Sequence, residues 1–338
     1  MRPMTYQKAN DARAAVQALA AAAGGDAALT ESSIQPLAGG TTLIDLMKLD
    51  VMRPSTLVDI NPLAGSWSEI NLENGNLRLG ALARMSDVAD HPEVQRLYPV
   101  VAESLKLAAS PQLRNMATLG GNVLQRTRCT YFRDVSYASC NKRNPGSGCA
   151  AMDGFNRMHA VLGTSEACIA SYPGDFAQAL IALDATVEIT GKAGVRQMPF
   201  AQLHKPPGHT PEIETVLRPG ELISAFVIDG RWPRSLYLKI RDRQSYEFAL
   251  ASAAVALDVQ DGIVREARVA LGGVATVPWR ARDAEALMKG QKLDDATAQH
   301  VAEAAMAGAS ARQHNAFKID LGKRVVAHAL QRAAMMEI

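Results

Sequence analysis

Cys129, Cys140, Cys149 and Cys168 are the only cysteines in this 338-residue chain, and all four fall within about forty residues. Their spacing, C-x10-C-x8-C-x18-C, supplies the four thiolates that a cubane iron–sulfur cluster or an all-cysteine zinc site needs. It is neither a ferredoxin run nor a pair of zinc-ribbon C-x2-C hooks, so spacing alone leaves the metal open. Four unrelated buried thiols, or one or two disulfides, are the plainer readings; the crowding of every cysteine into one window weighs against them. Arg126, Arg128, Arg133, Lys142 and Arg143 surround the first three cysteines, with Asp134 the one acid between them. Cations so placed offset the negative charge of a thiolate-held cluster and raise its reduction potential, although a solvated basic loop has the same composition. Of seven histidines only His159 lies in this segment, and no H-E-x-x-H pair occurs. A His-rich catalytic zinc site is therefore disfavoured.

Two loops add a second kind of chemistry. The first is Gln35-Pro36-Leu37-Ala38-Gly39-Gly40-Thr41-Thr42-Leu43, the second Ala117-Thr118-Leu119-Gly120-Gly121-Asn122. Paired glycines permit positive φ and let backbone come close to a ligand. Successive N–H groups then form an anion-binding concavity, to which threonine hydroxyls add donors. Together such loops could hold the two ends of a dinucleotide pyrophosphate. Neither is a G-x-G-x-x-G or G-x-x-x-x-G-K-[ST] fingerprint, and either one alone reads equally well as a plain turn.

The surrounding pattern shows what must position these residues. Ala14, Val16 and Leu19 behind an Asp11 N-cap predict a helix that Gly24-Gly25 ends. Ile34 to Leu37 reads as a strand delivering the first glycine loop, and Leu43, Leu46 and Met47 as a helical turn after it. Thr56 to Ile60 and Leu77 to Leu82 are strand candidates. Glu93 to Ala109 keeps one helical period through Val94, Leu97, Val101 and Leu105. From Thr127 to about Ser171 periodicity vanishes, and a pattern-free stretch of that length is functional or disordered. Order resumes at Tyr172-Pro173-Gly174-Asp175 with a helix through Ala182. A hairpin follows, with a strand from Ala185 to Thr190 and a turn from Gly191 to Gly194. Pro199 to Pro219 is a connection containing Pro and His.

A composition shift at Asp229-Gly230-Arg231-Trp232-Pro233 divides the chain into residues 1–230 and 231–338. Beyond it, Leu236 to Arg241, Ala249 to Val259 and Ile263 to Leu271 are strand candidates, the last two joined by an Asp261-Gly262 turn. The rest, from Trp279, is alanine-rich and helical. Strands followed by helices, without regular βαβ alternation, predict an α+β fold in both domains. No internal repeat is visible.

Bulk properties narrow the class. A hydrophobic fraction of 48% with 21% charged residues is ordinary for a globular protein that buries its own core. Formal charge is +2, from 36 basic and 34 acidic residues, which offers no field for nucleic acid or a membrane surface. The longest apolar stretches, such as Ala14 to Ala23, are too short to span a bilayer. The N-terminal residues show no export signal.

Taken in order, Ala38-Gly39-Gly40-Thr41, then Ala117-Thr118-Leu119-Gly120-Gly121-Asn122, then Tyr237-Leu238-Lys239-Ile240-Arg241 resemble the FAD-binding subunits of the xanthine dehydrogenase family of molybdenum hydroxylases. The likeness covers nearly the whole chain. It implies a two-subdomain FAD-binding domain of the PCMH type, followed by a small α+β domain of the CO dehydrogenase flavoprotein type that completes the FAD cleft. In that family an aspartate follows the second glycine loop almost directly. Here Asp175 fills that place after an insertion at about 124–171 that contains all four cysteines, which resembles the subgroup carrying a 4Fe–4S cluster on the flavin subunit, such as bacterial aldehyde oxidoreductases.

The resemblance further implies that Gln35 to Leu43 wrap the FAD pyrophosphate and that Ala117, Thr118, Gly120, Gly121 and Asn122 form the second wall. It implies that Asp175 contacts the nucleotide, that Leu222 packs near the flavin ring, and that Lys239 approaches the isoalloxazine. A cation there would stabilise the anionic reduced flavin. Cys129, Cys140, Cys149 and Cys168 become the cluster ligands.

The expected function is electron transfer. A molybdenum-cofactor large subunit would oxidise an aldehyde, a small subunit would relay electrons through 2Fe–2S centres, and this chain's FAD would pass them to an external acceptor. No catalytic acid, base or nucleophile is expected on the chain. The expected compartment is the periplasm, through co-export with a partner, with the cytoplasm as the alternative. Competing readings are a scaffold with a structural four-cysteine zinc site, and a stand-alone flavin oxidase.

Overall fold

In a computed structural model of the protein, described over residues 1–21 and 32–338, three sheets are built in chain order. The first comprises β1 (Thr5–Lys8), β2 (Ile34–Leu37) and β3 (Thr56–Asp59), all parallel in the order β1-β3-β2. Between β1 and β2 lies the helix Ala12–Ala20, whose N-cap Asp11 accepts from Ala14 N at 2.7 Å as the sequence predicts. The predicted stop at Gly24-Gly25 lies outside the described residues. The helix Leu43–Lys48 connects β2 to β3. Parallel pairing requires such crossovers, so the first sixty residues do alternate strand and helix. The sequence reading missed this because β1 is only four residues long and exposed throughout.

The second sheet comprises β4 (Ile70–Glu73), β5 (Asn76–Gly80), β6 (Thr186–Gly191), β7 (Gly194–Pro199) and β8 (Leu222–Ile228), in the order β4-β5-β8-β6-β7. All its pairings are antiparallel. Central β8 was not anticipated. Its sequence LISAFVI has no alternation because nearly every residue is buried, and continuous apolar runs give no period-2 signature. The helical stretch from Glu93 is two helices, Pro92–Leu97 and Pro99–Lys106. Pro99 excludes the α conformation at Tyr98, which sits at φ −141° and ψ 56°, and then opens the next helix at its first position.

The third sheet holds β9 (Ser235–Ile240), β10 (Ala251–Gln260), β11 (Ile263–Gly272) and β12 (Trp279–Arg280), in the order β12-β11-β10-β9. At the β10–β11 turn both Asp261 and Gly262 take positive φ, 51° and 76°, as an Asp-Gly hairpin requires. The helix Phe317–Ala334 buries Val325, Val326, Ala329, Leu330 and Ala333 beside this sheet. The whole is α+β.

The cysteine-bearing segment joins these parts. It has one short helix, Thr130–Arg133, and otherwise turns and isolated bridges. Phe132 and Cys140 pack with Leu46, Met47, Met52 and Leu57 of the N-terminal sheet region. Val161 and Leu162 enter the core of the C-terminal domain, where both their N–H groups donate to Val274 O, at 2.8 and 3.0 Å. Buried Lys318 reaches the segment from the last helix: its Nζ donates to Met158 O at 3.1 Å, His159 O at 3.2 Å and Gly273 O at 2.7 Å. Met158 O also accepts from the Ser171 hydroxyl at 2.8 Å and His159 O from Asn315 Nδ2 at 3.4 Å, so Gly273 O is the carbonyl that relies most on Lys318. Replacing Lys318 with an apolar isostere strands that carbonyl, so Lys318→Met should lower unfolding stability by roughly 1–3 kcal/mol, readable as a shift in the denaturant midpoint at unchanged slope.

Candidate dinucleotide cleft and cysteine cavity

The two glycine loops meet. A Cβ added to Gly39 would lie 2.0 Å from the carbonyl oxygen of Met116, so only glycine lets the first loop touch the residue just before the second. Gly40 takes φ +72° beside it. A polar bracket fixes the junction. Asp59 Oδ1 accepts from Asn61 Nδ2 at 2.7 Å, Asn61 Nδ2 also donates to Ala38 O at 3.0 Å, and Arg84 Nη2 donates to Asn61 Oδ1 at 3.3 Å. Arg84 Nη1 in turn donates to Met116 O. In the second loop, the Thr118 hydroxyl caps the short helix Leu119–Val123 by accepting from Gly121 N at 3.3 Å, and Gly120 N donates to Ala81 O at 2.8 Å.

Between the loops opens a cleft of about 340 Å³, within the range of small-molecule and cofactor sites. Gln35, Pro36, Ala38, Gly39, Gly40, Thr41, Thr42, Leu43, Thr118, Gly120, Gly121 and Leu222 line it. Leu37, Ala117 and Asn122 are not part of that lining. Arg126, Lys142 and Glu214 form a charged wall of the same cleft. Glu214 Oε2 accepts from Arg126 Nε and Oε1 from Lys142 Nζ, each at 2.7 Å. Burial works to raise the Glu214 carboxyl, but the two cations outweigh it and hold the group at about 2. Arg126 and Lys142 were visible as part of a basic cluster; Glu214, 88 residues from Arg126, carried no local sign.

Asp175 and Lys239 come together, but away from the cleft lining. Lys239 Nζ lies 2.7 Å from Asp175 Oδ2 with both side chains almost fully buried, and Tyr237 donates its hydroxyl to Asp175 Oδ1 at 2.7 Å. Lys239 Nζ also donates to Leu107 O at 3.1 Å. The ion pair ties β9 of the C-terminal domain to the helix Phe176–Ala182, which Asp175 precedes. Buried in this way, Tyr237 is held in its neutral form, its pKa raised well above the usual value.

All four cysteines line a second, smaller cavity with Tyr131, Phe132, Lys142 and Ala170. The bridge between Cys140 and Cys149 sets two of them side by side, and all four thiols are unpaired. Ala170 N donates to Cys168 Sγ at 3.4 Å, and neighbouring backbone N–H groups work to lower the Cys129, Cys140 and Cys149 thiols. Burial pushes the Cys129 thiol up to about 12. The Cys168 thiol, donating to Cys149, holds Cys149 down at about 6 and is itself raised. His159 Nε2 lies 3.1 Å from Cys129 Sγ, and burial followed by the nearby Lys318 charge lowers its pKa to about 4. His159 is therefore a neutral ring beside the sulfur. Lys142, Cys168 and Ala170 line both cavities, so cleft and cysteine site share one wall.

Fold and cleft define a flavoprotein of the molybdenum hydroxylases. Residues 2–228 match the family described as the FAD binding domain in molybdopterin dehydrogenase, and residues 236–333 match the CO dehydrogenase flavoprotein C-terminal domain. The chain belongs to the FAD-binding subunits of the xanthine dehydrogenase family. It is 48% identical over 300 residues to the aldehyde oxidoreductase FAD-binding subunit PaoB of Escherichia coli (strain K12), covering 88% of this chain and 90% of that one. It is 27% identical over 274 residues to the glyceraldehyde dehydrogenase medium chain of Sulfolobus acidocaldarius, covering 79% and 78%. A solved carbon monoxide dehydrogenase chain from Hydrogenophaga pseudoflava shares the fold with a TM-score of 0.75 at 24% identity, over 98% of this chain and 97% of that one.

Two outcomes follow from this geometry. Gly39→Ala forces the loops apart, so FAD should bind at least about tenfold more weakly, a loss of about 1.4 kcal/mol, measured as flavin retained through desalting and by fluorescence titration. The Glu214 carboxyl is depressed from 4.5 to about 2, so its contribution is complete above pH 4.5 and fades as pH falls toward 2. The stability gap between the native protein and Glu214→Gln should therefore narrow across that window in acid denaturation.

Proposed function

We propose that this chain is the FAD- and 4Fe–4S-carrying electron-transfer subunit of a molybdenum-dependent aldehyde oxidoreductase. The observation that carries the cluster assignment is one cavity lined by all four cysteines, with Ala170 N donating to the Cys168 sulfur. A donor of this kind favours a thiolate-held anion. The aldehyde assignment rests on the 48% identity to an aldehyde oxidoreductase subunit.

In this reading Gln35 to Leu43 and Ala117 to Asn122 hold the FAD, with Leu222 against the cofactor. Asp175 and Lys239 fix the seam between domains 1–230 and 231–338, the first carrying the cluster insertion at about 124–171. When bound, the flavin and cluster accept and release electrons, linking a 2Fe–2S small subunit and a molybdenum-cofactor large subunit to an external acceptor. The chain's own residues position, insulate and charge-balance these groups; none is assigned an acid, base or nucleophile role. No helix among the described residues is long and apolar enough to cross a membrane.

Cys149→Ala and Cys168→Ala in the assembled complex should each lose one cluster's iron and its EPR signal while retaining flavin absorbance and the 2Fe–2S signals. Unchanged iron in both variants, or a native complex carrying zinc in its place, would refute the assignment.

A further inference from the structure

Lys142 stands where the two cavities meet. It lines the cleft between the glycine loops and also the cavity of the four cysteines, with only 12% of its side chain exposed. Its ammonium is not free to swing: Nζ donates to Pro211 O at 2.8 Å and to Glu214 Oε1 at 2.7 Å. The other Glu214 oxygen is taken by Arg126, 6% exposed, whose guanidinium carbon lies 4.5 Å from the ring centroid of Phe132 on the cysteine cavity. Arg126 also lines the cleft, and its buried Nη2 has no protein partner. Two cations thus share one carboxylate, leaving a fixed surplus of one positive charge in the common wall. That wall is poorly hydrated, and a charge there is screened far less than one at the surface.

We propose that Lys142 is an electrostatic element common to both redox sites, its ammonium raising the reduction potentials of the flavin and of the iron–sulfur cluster together. Each centre gains negative charge on reduction, so a fixed cation beside both favours the reduced form of both. Glu214 sets the strength of the effect by neutralising part of the surplus, and Pro211 O and Glu214 hold the ammonium in place. Lys142 acts as a positioning charge and takes no part in bond making.

This inference rests on the assignment of FAD and a cluster to these cavities. The test uses the assembled complex, with cluster midpoint potential followed by EPR and flavin potential by absorbance. Lys142→Met should lower both potentials, Lys142→Arg should restore both close to native values, and Glu214→Gln, which exposes the surplus charge, should raise both. The opposite signs of the two charge changes separate electrostatics from loosened packing, which would not reverse direction. A shift confined to one centre, or failure of Lys142→Arg to restore the potentials, overturns the shared role while leaving the cofactor assignment standing. A native complex without a cluster signal that depends on the four cysteines overturns the assignment and this inference with it.

Discussion

The contact between Gly39 and the Met116 carbonyl governs the geometry of the cleft. It leaves no space for a side chain, so the parallel N-terminal sheet and the second glycine loop are brought within backbone contact. Asp59, Asn61 and Arg84 then lock that approach with hydrogen bonds to Ala38 and Met116. Loops joined in this way line one space, although the second loop's N–H groups at Leu119, Gly120 and Gly121 are taken by Ala83 O, Ala81 O and the Thr118 hydroxyl. The fit to a long, anionic cofactor arises from their joint geometry, since neither loop is a phosphate site by motif alone.

The cysteine segment uses that same framework differently. Having few regular elements, it cannot be held by a ladder of backbone bonds. Its order comes instead from being anchored on both sides, through Phe132 in the N-terminal core, Val161 and Leu162 in the C-terminal core, and Lys318 beneath Met158 and His159. Four sulfurs dispersed over the segment are thereby brought to one cavity against the cleft wall. The ion pair of Asp175 and Lys239 is buried at the seam, where removing either partner would strand a charge; such pairs fix geometry more reliably than they add stability.

Much of this was legible in the sequence where the cause is local. Asp11 caps its helix, Asp261-Gly262 makes its hairpin, and the paired glycines mark the cleft, because each depends on the conformational properties of one or two residues. What escaped depends on distant partners. Strand β8 is buried on both faces and shows no alternation; β1 is a strand because β3 pairs with it. Glu214 becomes a site residue only when folding places it between Arg126 and Lys142. The grouping of cysteines was plain from spacing, whereas their shared wall with the cleft needed coordinates. Lys239 was expected near the flavin ring on family likeness, and its ion pair with Asp175 away from the cleft lining is a tertiary fact that no spacing encodes.

Flavin binding by this chain depends on the two diglycine loops gripping one dinucleotide. The direct test is a titration of flavin-depleted complex with FAD and with FMN, followed by quenching of flavin fluorescence. Because the loops act on a pyrophosphate and the groups beyond it, FAD should bind at least about tenfold more tightly than FMN, a difference of about 1.4 kcal/mol. Equal affinity for the two flavins would show that the paired loops do not hold the dinucleotide, and would contradict the account.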